Sequence, residues 1–287
     1  MVTNSAPHAP APSAVEALRC SVCGASLHVT GRSLRCDEGH AFDIAKQGYV
    51  NLLHARVPSG TADSAEMVAA RAEFLDAGHF APLAEAIAGV AKAAVPGAAL
   101  ILDAGGGTGY YLAKVLDALP GATGLSLDLS AVASRRAARA HARASAAVWN
   151  LWHPLPLAGG CASLVLNVFA PRNGAEFRRV LREGGRLVVV TPTPEHLAEL
   201  AELTRLLDVD PDKPRRVAAA LNPHFTEATS EAVDFSLELT AAEVRSLIGM
   251  GPTAHHLRPG AFESLPATVR VTASCTVAVY EPRSAAA

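Results

Sequence analysis

Leu100-Ile-Leu-Asp-Ala-Gly-Gly-Gly-Thr-Gly-Tyr110 decides how the rest of the chain is read. A short apolar run ends at Asp103, and glycines follow at 105, 106, 107 and 109. Tyr110-Tyr-Leu-Ala-Lys-Val-Leu116 then has the make-up of a helix. Strand, tight glycine turn and helix form the first unit of a doubly wound α/β domain, whose ligands bind beyond the carboxyl ends of the strands. Glycine allows positive φ and lets the backbone come close to a ligand. Alone, such a loop fits a nucleotide-like cofactor or a plain turn, so the flanking chain has to decide.

Downstream the alternation continues. Strands are expected over 122–127, 145–149, 162–169 and 186–191, with helices over 110–119, 130–141 and 174–181. Thr193-Pro194 is suited to cap a helix over 195–207. A strand over 232–239 precedes the capping-box pattern Thr240-x-x-Glu243, and the last strand is expected over 267–280, before a frayed end. The pattern predicts a sheet of about seven strands with the last antiparallel. Upstream, 64–77 and 80–94 read as two amphipathic helices joined at Gly78-His79-Phe80, which would lie near the glycine loop.

The chain has 287 residues, half of them apolar, which is enough for one large domain and a small satellite. A formal net charge of −2 gives no overall sign of a nucleic-acid binder, so any basic surface must be local. Neither a long apolar run nor a charged start followed by an apolar core is present in the sequence, so no membrane span or signal peptide is expected, and the reading is cytoplasmic. Residues 1–14 are rich in Pro, Ala and Ser and read as a disordered tail.

Three of the five cysteines fall within 20–36, a poor disulfide framework for a chain of this size. Cys20-x2-Cys23 and Cys36-x3-His40 form two knuckles joined by a short polar ribbon. Thiolate and imidazole ligands at that spacing suit a structural zinc ion, and a filled Cys3His shell leaves no position for water. His28 is a rival ligand at a less suitable spacing, while Cys161 and Cys275 stand in apolar, strand-like stretches and read as core. The segment 41–53 is too apolar for a free linker and is expected to pack the module onto the downstream domain. The expected division is a zinc-binding, RNA-recognition module over 15–56, a helical linker over 57–95 that packs on the catalytic domain and has a flexible loop at 57–63, and the catalytic domain over 96–282.

The loop spacing Gly105-x-Gly107-x-Gly109 is one residue shorter than the dinucleotide fingerprint. A pyrophosphate needs the longer turn; a cofactor without phosphates does not. Asp128, at the end of the second strand, is placed to accept two ribose hydroxyls, and Asn150, after the third, to read an adenine edge. Glycine loop, ribose carboxylate and adenine reader at successive strand ends are the layout of class I S-adenosylmethionine-dependent methyltransferases. A dinucleotide oxidoreductase is the rival.

Over nearly its whole length the chain resembles the bacterial 23S rRNA guanine-N1 methyltransferases of the RlmA type, which include the actinomycete tylosin-resistance enzymes. The resemblance is carried by the two knuckles, Lys46-x-Gly48-Tyr-Val-Asn-Leu-Leu53, Asp63-x-x-Glu66-Met67 and Arg71-x3-Leu75-Asp76-x-Gly78-His79-Phe80. The glycine loop, Phe169-Ala-Pro-Arg-Asn173 and Thr191-Pro192-x-Pro194-x-His196-Leu197 complete it. It implies S-adenosylmethionine as cofactor, structural zinc, and as substrate a guanine at position 745 or 748 in the hairpin 35 loop of 23S rRNA, with macrolide resistance in the branch it is most similar to. It also implies that Gly107, Thr108, the aromatic at 80 and His196 surround the cofactor, and that the enzyme is a homodimer. Position 80 is Phe where Tyr is common, and Asn150 stands where Asp is often found.

No residue declares itself as the base that takes the guanine N1 proton. Phe169, Ala170 and Pro171, where many base methyltransferases carry Asn/Asp-Pro-Pro-aromatic, are expected to wall the guanine pocket. Arg19, Arg32, Arg35 and Lys46 near the knuckles, and Arg135, Arg136, Arg139 and Arg143 after the second strand, are candidates for rRNA contact. A small-molecule methyltransferase and an inactive, zinc-stabilised RNA-binding module are the alternatives.

Overall fold

The computed structural model describes residues 9–55, 62–95, 97, 100–200, 213–251 and 265–283. Most of the loop expected at 57–63, the second half of the helix expected at 195–207 and the last four residues lie outside them.

The chain begins to pack earlier than its Pro/Ala-rich composition suggested. Pro12–Ala17 form a helix, α1, with Ala14 and Val15 buried. The knuckles flank a three-stranded antiparallel sheet of β1 (His28–Thr30), β2 (Ser33–Arg35) and β3 (Ala41–Asp43). A two-residue turn joins β1 to β2, and its first position, Gly31, takes φ +61° as a type II′ hairpin turn requires. The next strand, β4 (Val50–Asn51), leaves the module for the large sheet.

Two helices come next, α2 (Ala65–Asp76) and α3 (Ala81–Ala94). The alternating part comprises β5 (Leu100–Ala104), α4 (Tyr110–Ala118), β6 (Thr123–Asp128), α5 (Ala131–Ala140), β7 (Ala144–Val148), β8 (Ala162–Val168), α6 (Gly174–Val180) and β9 (Leu181–Pro192). After these come α7 (Lys213–Leu221), β10 (Phe225–Thr240), α8 (Ala241–Gly249) and β11 (Thr268–Pro282). The large sheet has the order β10-β11-β9-β8-β5-β6-β7-β4. Strands β4 to β9 within it are parallel, and β11 runs antiparallel to both β9 and β10. This is the doubly wound class I methyltransferase arrangement with one strand more than expected. The eighth strand is β4, which pairs Val50 with Ala147 and Asn51 with Val148 and covers an edge that β7 would otherwise leave bare.

Four boundaries differ from the sequence pattern, the first at β10, which starts at Phe225 rather than 232 because 225–231 already pair with β11. Strand β9 starts at Leu181 rather than 186, because Ala162 pairs with Leu181 and Leu164 with Arg186, leaving Gly184-Gly185 in a bulge. Strand β11 continues through Glu281 and Pro282, which pair with Thr226 and Phe225, so those residues are not frayed. Thr193 does not cap a helix at 195; helical residues begin at Ala198. The amides a helix would leave unpaired are taken by neighbours instead: His196 N–H donates to Thr193 O, and Leu197, at φ +58°, donates to Thr272 O of β11.

Each face of the large sheet has its own core. On one face Phe74, Leu83, Ile87, Leu112 and Val115 from α2, α3 and α4 pack on Ile101, Leu164, Leu166 and Val188. The helices at 65–94 thus pack on the sheet as one of its covering layers. On the opposite face Leu27, Leu34 and Phe42 of the knuckle module run through Ile44 and Leu52 into Leu102, Leu125 and Leu127 of the sheet. Packing by the segment 41–53 was legible from its apolar residues.

Candidate functional site

Cys20, Cys23, Cys36 and His40 bring one ligand atom each to within 4.8 Å of one another. Cys23 Sγ and Cys36 Sγ are 3.7 Å apart, and Cys36 Sγ is 3.4 Å from His40 Nδ1. A tetrahedron with zinc–sulfur bonds of about 2.3 Å has edges of roughly 3.8 Å, so the donor set fits zinc in spacing and chemistry. Backbone turns support it: Gly24 N–H donates to Cys20 O at 2.7 Å and Gly39 N–H to Cys36 O at 3.0 Å. His28 faces Asp37 and is not part of the cluster.

At the other end of the chain's core, the loops after β5, β6, β7, β8 and β9 converge at the carboxyl edge of the sheet. Gly105, Gly107 and Gly109 take φ of +81°, +55° and +80°. The loop is tied to β6 through Leu127 O, which accepts from Gly105 N–H at 2.8 Å. Gly106 is needed for space, since a Cβ there would overlap Ser126 Oγ and Asp103 Oδ2. Helix α4 starts with no side-chain cap at Gly109, which leaves its first amides, beside Thr108, free to face an anionic group.

Asp128 holds the loop from below. Its Oδ2 accepts from Gly107 N–H at 2.9 Å and its Oδ1 from Ser130 N–H at 2.8 Å. Burial pushes its carboxyl up, partly offset by those two donors. A carboxylate has about four lone-pair positions, so both oxygens can still accept from hydroxyls. Asn150 is buried, and its Oδ1 accepts from Trp152 N–H at 3.1 Å. That bond shapes the turn after β7 and occupies one of the groups expected to read an adenine.

Three rings meet across this end. Phe80 packs edge-on against Phe74 and Phe235, with its centroid 6.2 Å from that of His196. His196 in turn lies 6.1 Å from Phe169. His196 Nδ1 accepts from Ser274 N–H at 3.1 Å. The Nδ1 lone pair is thereby taken up by the main chain of β11. Phe169 is 39% exposed at φ +53°, a left-handed conformation rare for an aromatic residue and typical of constrained functional turns. Ala170 is buried against Gly105, and Pro171 O is held by Asn167 Nδ2 at 2.8 Å. Phe169, Ala170 and Pro171 therefore form one braced corner beside the glycine loop.

Three features here were not read from the sequence. Trp152 is 67% exposed at the rim, although its neighbour Leu151 is buried and held through its carbonyl by Asn173 Nδ2 at 3.0 Å. An ion pair between Arg71 and Asp63 lies against Gly107, with Arg71 Nη2 donating to Met250 O at 2.7 Å. Asp103 is buried, with Oδ2 unpartnered. The spacing motif carried Arg71 and Asp63 as neighbours in sequence but not as a clasp, and burial of Asp103 has no signature in the sequence.

The basic residues divide. Arg143 donates to the carbonyls of Leu116, Leu119 and Ala122 and so closes the end of α4. It is not available for RNA. Arg19 likewise donates to Glu16 O and Leu18 O. Arg32, Arg35 and Lys46 are exposed on the zinc module.

Residues 18–57 match the RlmA N-terminal zinc-ribbon family. A Micromonospora griseorubida protein named as a 23S rRNA (guanine-N(1)-)-methyltransferase is 50% identical, covering 94% of this chain and 99% of its own. The 23S rRNA (guanine(748)-N(1))-methyltransferase of Streptomyces fradiae is 48% identical, covering 93% of this chain and 98% of its own. A Bacillus subtilis protein named for the same guanine-N1 activity is 35% identical over 69% of this chain and 70% of its own.

Proposed function

The chain belongs to the 23S rRNA (guanine-N1)-methyltransferases of the RlmA type, and from that membership we propose that it methylates N1 of a guanine in the hairpin 35 loop of 23S rRNA. Guanine 748 is the first position to test, since a relative of nearly equal length is named for it. Resistance to tylosin-type macrolides, a cytoplasmic site of action and a homodimer go with this reading.

The observation that carries it is the meeting of Phe80, His196 and Phe169 beside a glycine loop whose carboxylate partner, Asp128, keeps lone pairs for hydroxyls. S-adenosylmethionine bound there would supply an electrophilic methyl group on a sulfonium. Gly105, Gly107, Thr108 and Gly109 would leave room and amides for its amino-acid part, Asp128 would hold the ribose, and Asn150 would border the adenine. Phe80 and His196 would close the pocket on the far side. The braced corner Phe169-Ala170-Pro171 would wall the guanine, with the exposed Phe169 ring offered for stacking. Holding nucleophile and methyl carbon in line can account for several kcal/mol of the barrier. As the N1–carbon bond forms, the sulfur–methyl bond breaks with its electron pair left on sulfur and the N1 proton passes to water; His196 Nδ1, which accepts from Ser274 N–H, is not the group that takes it.

The test is incubation of the protein with labelled S-adenosylmethionine and 23S rRNA from a strain lacking the modification. Reverse transcription should stop at the modified guanine of hairpin 35, and a transcript with that guanine replaced should take up no label. Methyl transfer to a small molecule without RNA would support the alternative of a repurposed scaffold. Absence of S-adenosylmethionine binding would sink the enzyme reading.

A further inference from the structure

One groove away from the ring cluster gathers positive charge that the protein itself leaves unused. It encloses about 850 Å³ and runs from Thr108 and Tyr110, at the side of the glycine loop, outward between α4 and α5. Lys114 lines it from α4, and Arg135, Arg136 and Arg139 line it from α5. All four are exposed, and none has a hydrogen-bond or ion-pair partner among the described residues. The opposing carboxylates are Asp76 and Asp117, and Asp117 lies 3.4 Å from His141 Nε2.

This concentration is local, for the chain as a whole carries a formal charge of −2. It is also built: α5 packs inward through the small residues Ala133, Ser134, Ala137 and Ala138, which turns its arginines outward together. Arg143, next in the sequence run, points elsewhere and is consumed by carbonyls. A single small anion would be held by donors that converge on one point, at least one of them buried. Here the cations are spread along two helices about 14–15 Å long, a spacing that suits a chain of repeated negative charges. Arginine adds forked donors that match phosphate oxygens.

We propose that this groove seats the sugar–phosphate backbone of the rRNA flanking the methylated loop, with Lys114, Arg135, Arg136 and Arg139 as its phosphate contacts. The proposal rests on the reading of the protein as an rRNA methyltransferase. The head of the groove reaches Thr108 of the glycine loop.

The full-length protein carrying Lys114→Gln, Arg135→Gln, Arg136→Gln and Arg139→Gln tests it, with a 23S rRNA fragment containing hairpin 35 as the probe. Affinity is measured across salt concentrations from about 50 to 200 mM, alongside S-adenosylmethionine affinity and melting temperature. Removing a contact with single-stranded backbone lowers the slope of log affinity against log salt by about 0.7. The variant should lose two or more such increments and bind RNA roughly tenfold or more weakly near 100 mM salt, with cofactor affinity unchanged. Arg135→Gln and Arg139→Gln alone, each expected to lose about one increment, serve if the fourfold variant does not fold. Wild-type slope and affinity in the variants would overturn the groove assignment. A wild-type protein that neither binds nor methylates the rRNA would instead overturn the functional reading on which it rests.

Discussion

Asp103 ends β5 with a carboxylate that is 1% exposed and an Oδ2 without a partner. Burial, and then the charge of Asp128, push its carboxyl up to about 7. Its folded value lies above the ordinary value near 4, so the folded chain favours the protonated form. Its contribution to stability is whole below about pH 4 and is lost as pH rises through about 7. Asp103→Asn should therefore gain on the wild type in unfolding free energy as pH rises from about 5 to 8, by an amount on the order of a few kcal/mol at most, read from urea unfolding at each pH. A constant difference across that range would show that Asp103 does not titrate there. Trp152 presents the opposite case, a large apolar ring left at the rim on a turn fixed by Asn150. Base–aromatic stacking is worth about 1–3 kcal/mol per base. Trp152→Ala should raise KM for rRNA roughly 5- to 100-fold and leave S-adenosylmethionine affinity as it is. An unchanged KM would remove Trp152 from RNA recognition.

Helix α4 ends with help from a residue far along the chain as well as from its own backbone. Its start is uncapped and faces the cofactor end, while its last carbonyls accept from Arg143, which lies beyond α5 in the chain. Charged donors of this kind contribute about 1.5–3 kcal/mol, and Arg143 reaches three carbonyls, two of which also accept a backbone N–H. Arg143→Ala should destabilise the protein by about 2–4 kcal/mol, read as the midpoint of urea unfolding. Arg143→Lys should recover only part of this, since one ammonium cannot span the carbonyls of Leu116, Leu119 and Ala122. Full recovery would mean that charge alone, and not the forked geometry, holds this corner. The capping box at Thr240 shows the contrasting situation, in which a local pattern suffices: Thr240 Oγ1 accepts from Glu243 N–H and Glu243 answers to Thr240 N–H.

The zinc module and the sheet share a core, from Leu34 and Phe42 through Leu52 to Leu102 and Leu127, and β4 joins them by hydrogen bonds. Four ligands around one ion hold the module's own short strands, and zinc binding supplies about 10–16 kcal/mol of apparent folding free energy in small sites of this kind. Loss of zinc should consequently be felt by the whole chain. Chelation, or Cys36→Ser, is expected to lower the melting temperature of the single cooperative transition and to expose Phe42 and Leu52 to hydrogen exchange on neighbouring amides. If instead the large sheet melts at its holoprotein temperature after chelation, the module is an independent appendage.

Much of this was open to the sequence because it depends on neighbours in the chain. The glycine loop, the two knuckles, the alternation of strands and helices and the capping box are each set by backbone freedom, ligand chemistry or periodicity over a few residues. The tight turn through Gly105, Gly107 and Gly109 and the place of Asp128 at the neighbouring strand end were legible for the same reason. What depended on residues far apart in sequence was decided only by the tertiary structure. The eighth strand is two residues long and exists because β7 has an edge to offer. The turn at Thr193–Leu197 replaced a helix because β11 captured its amides. Arg143 left the basic run because α4 ended beside it, whereas Arg135, Arg136 and Arg139 joined Lys114 in one groove. Local chemistry specifies which groups a segment can use; only packing decides which of those groups are already taken.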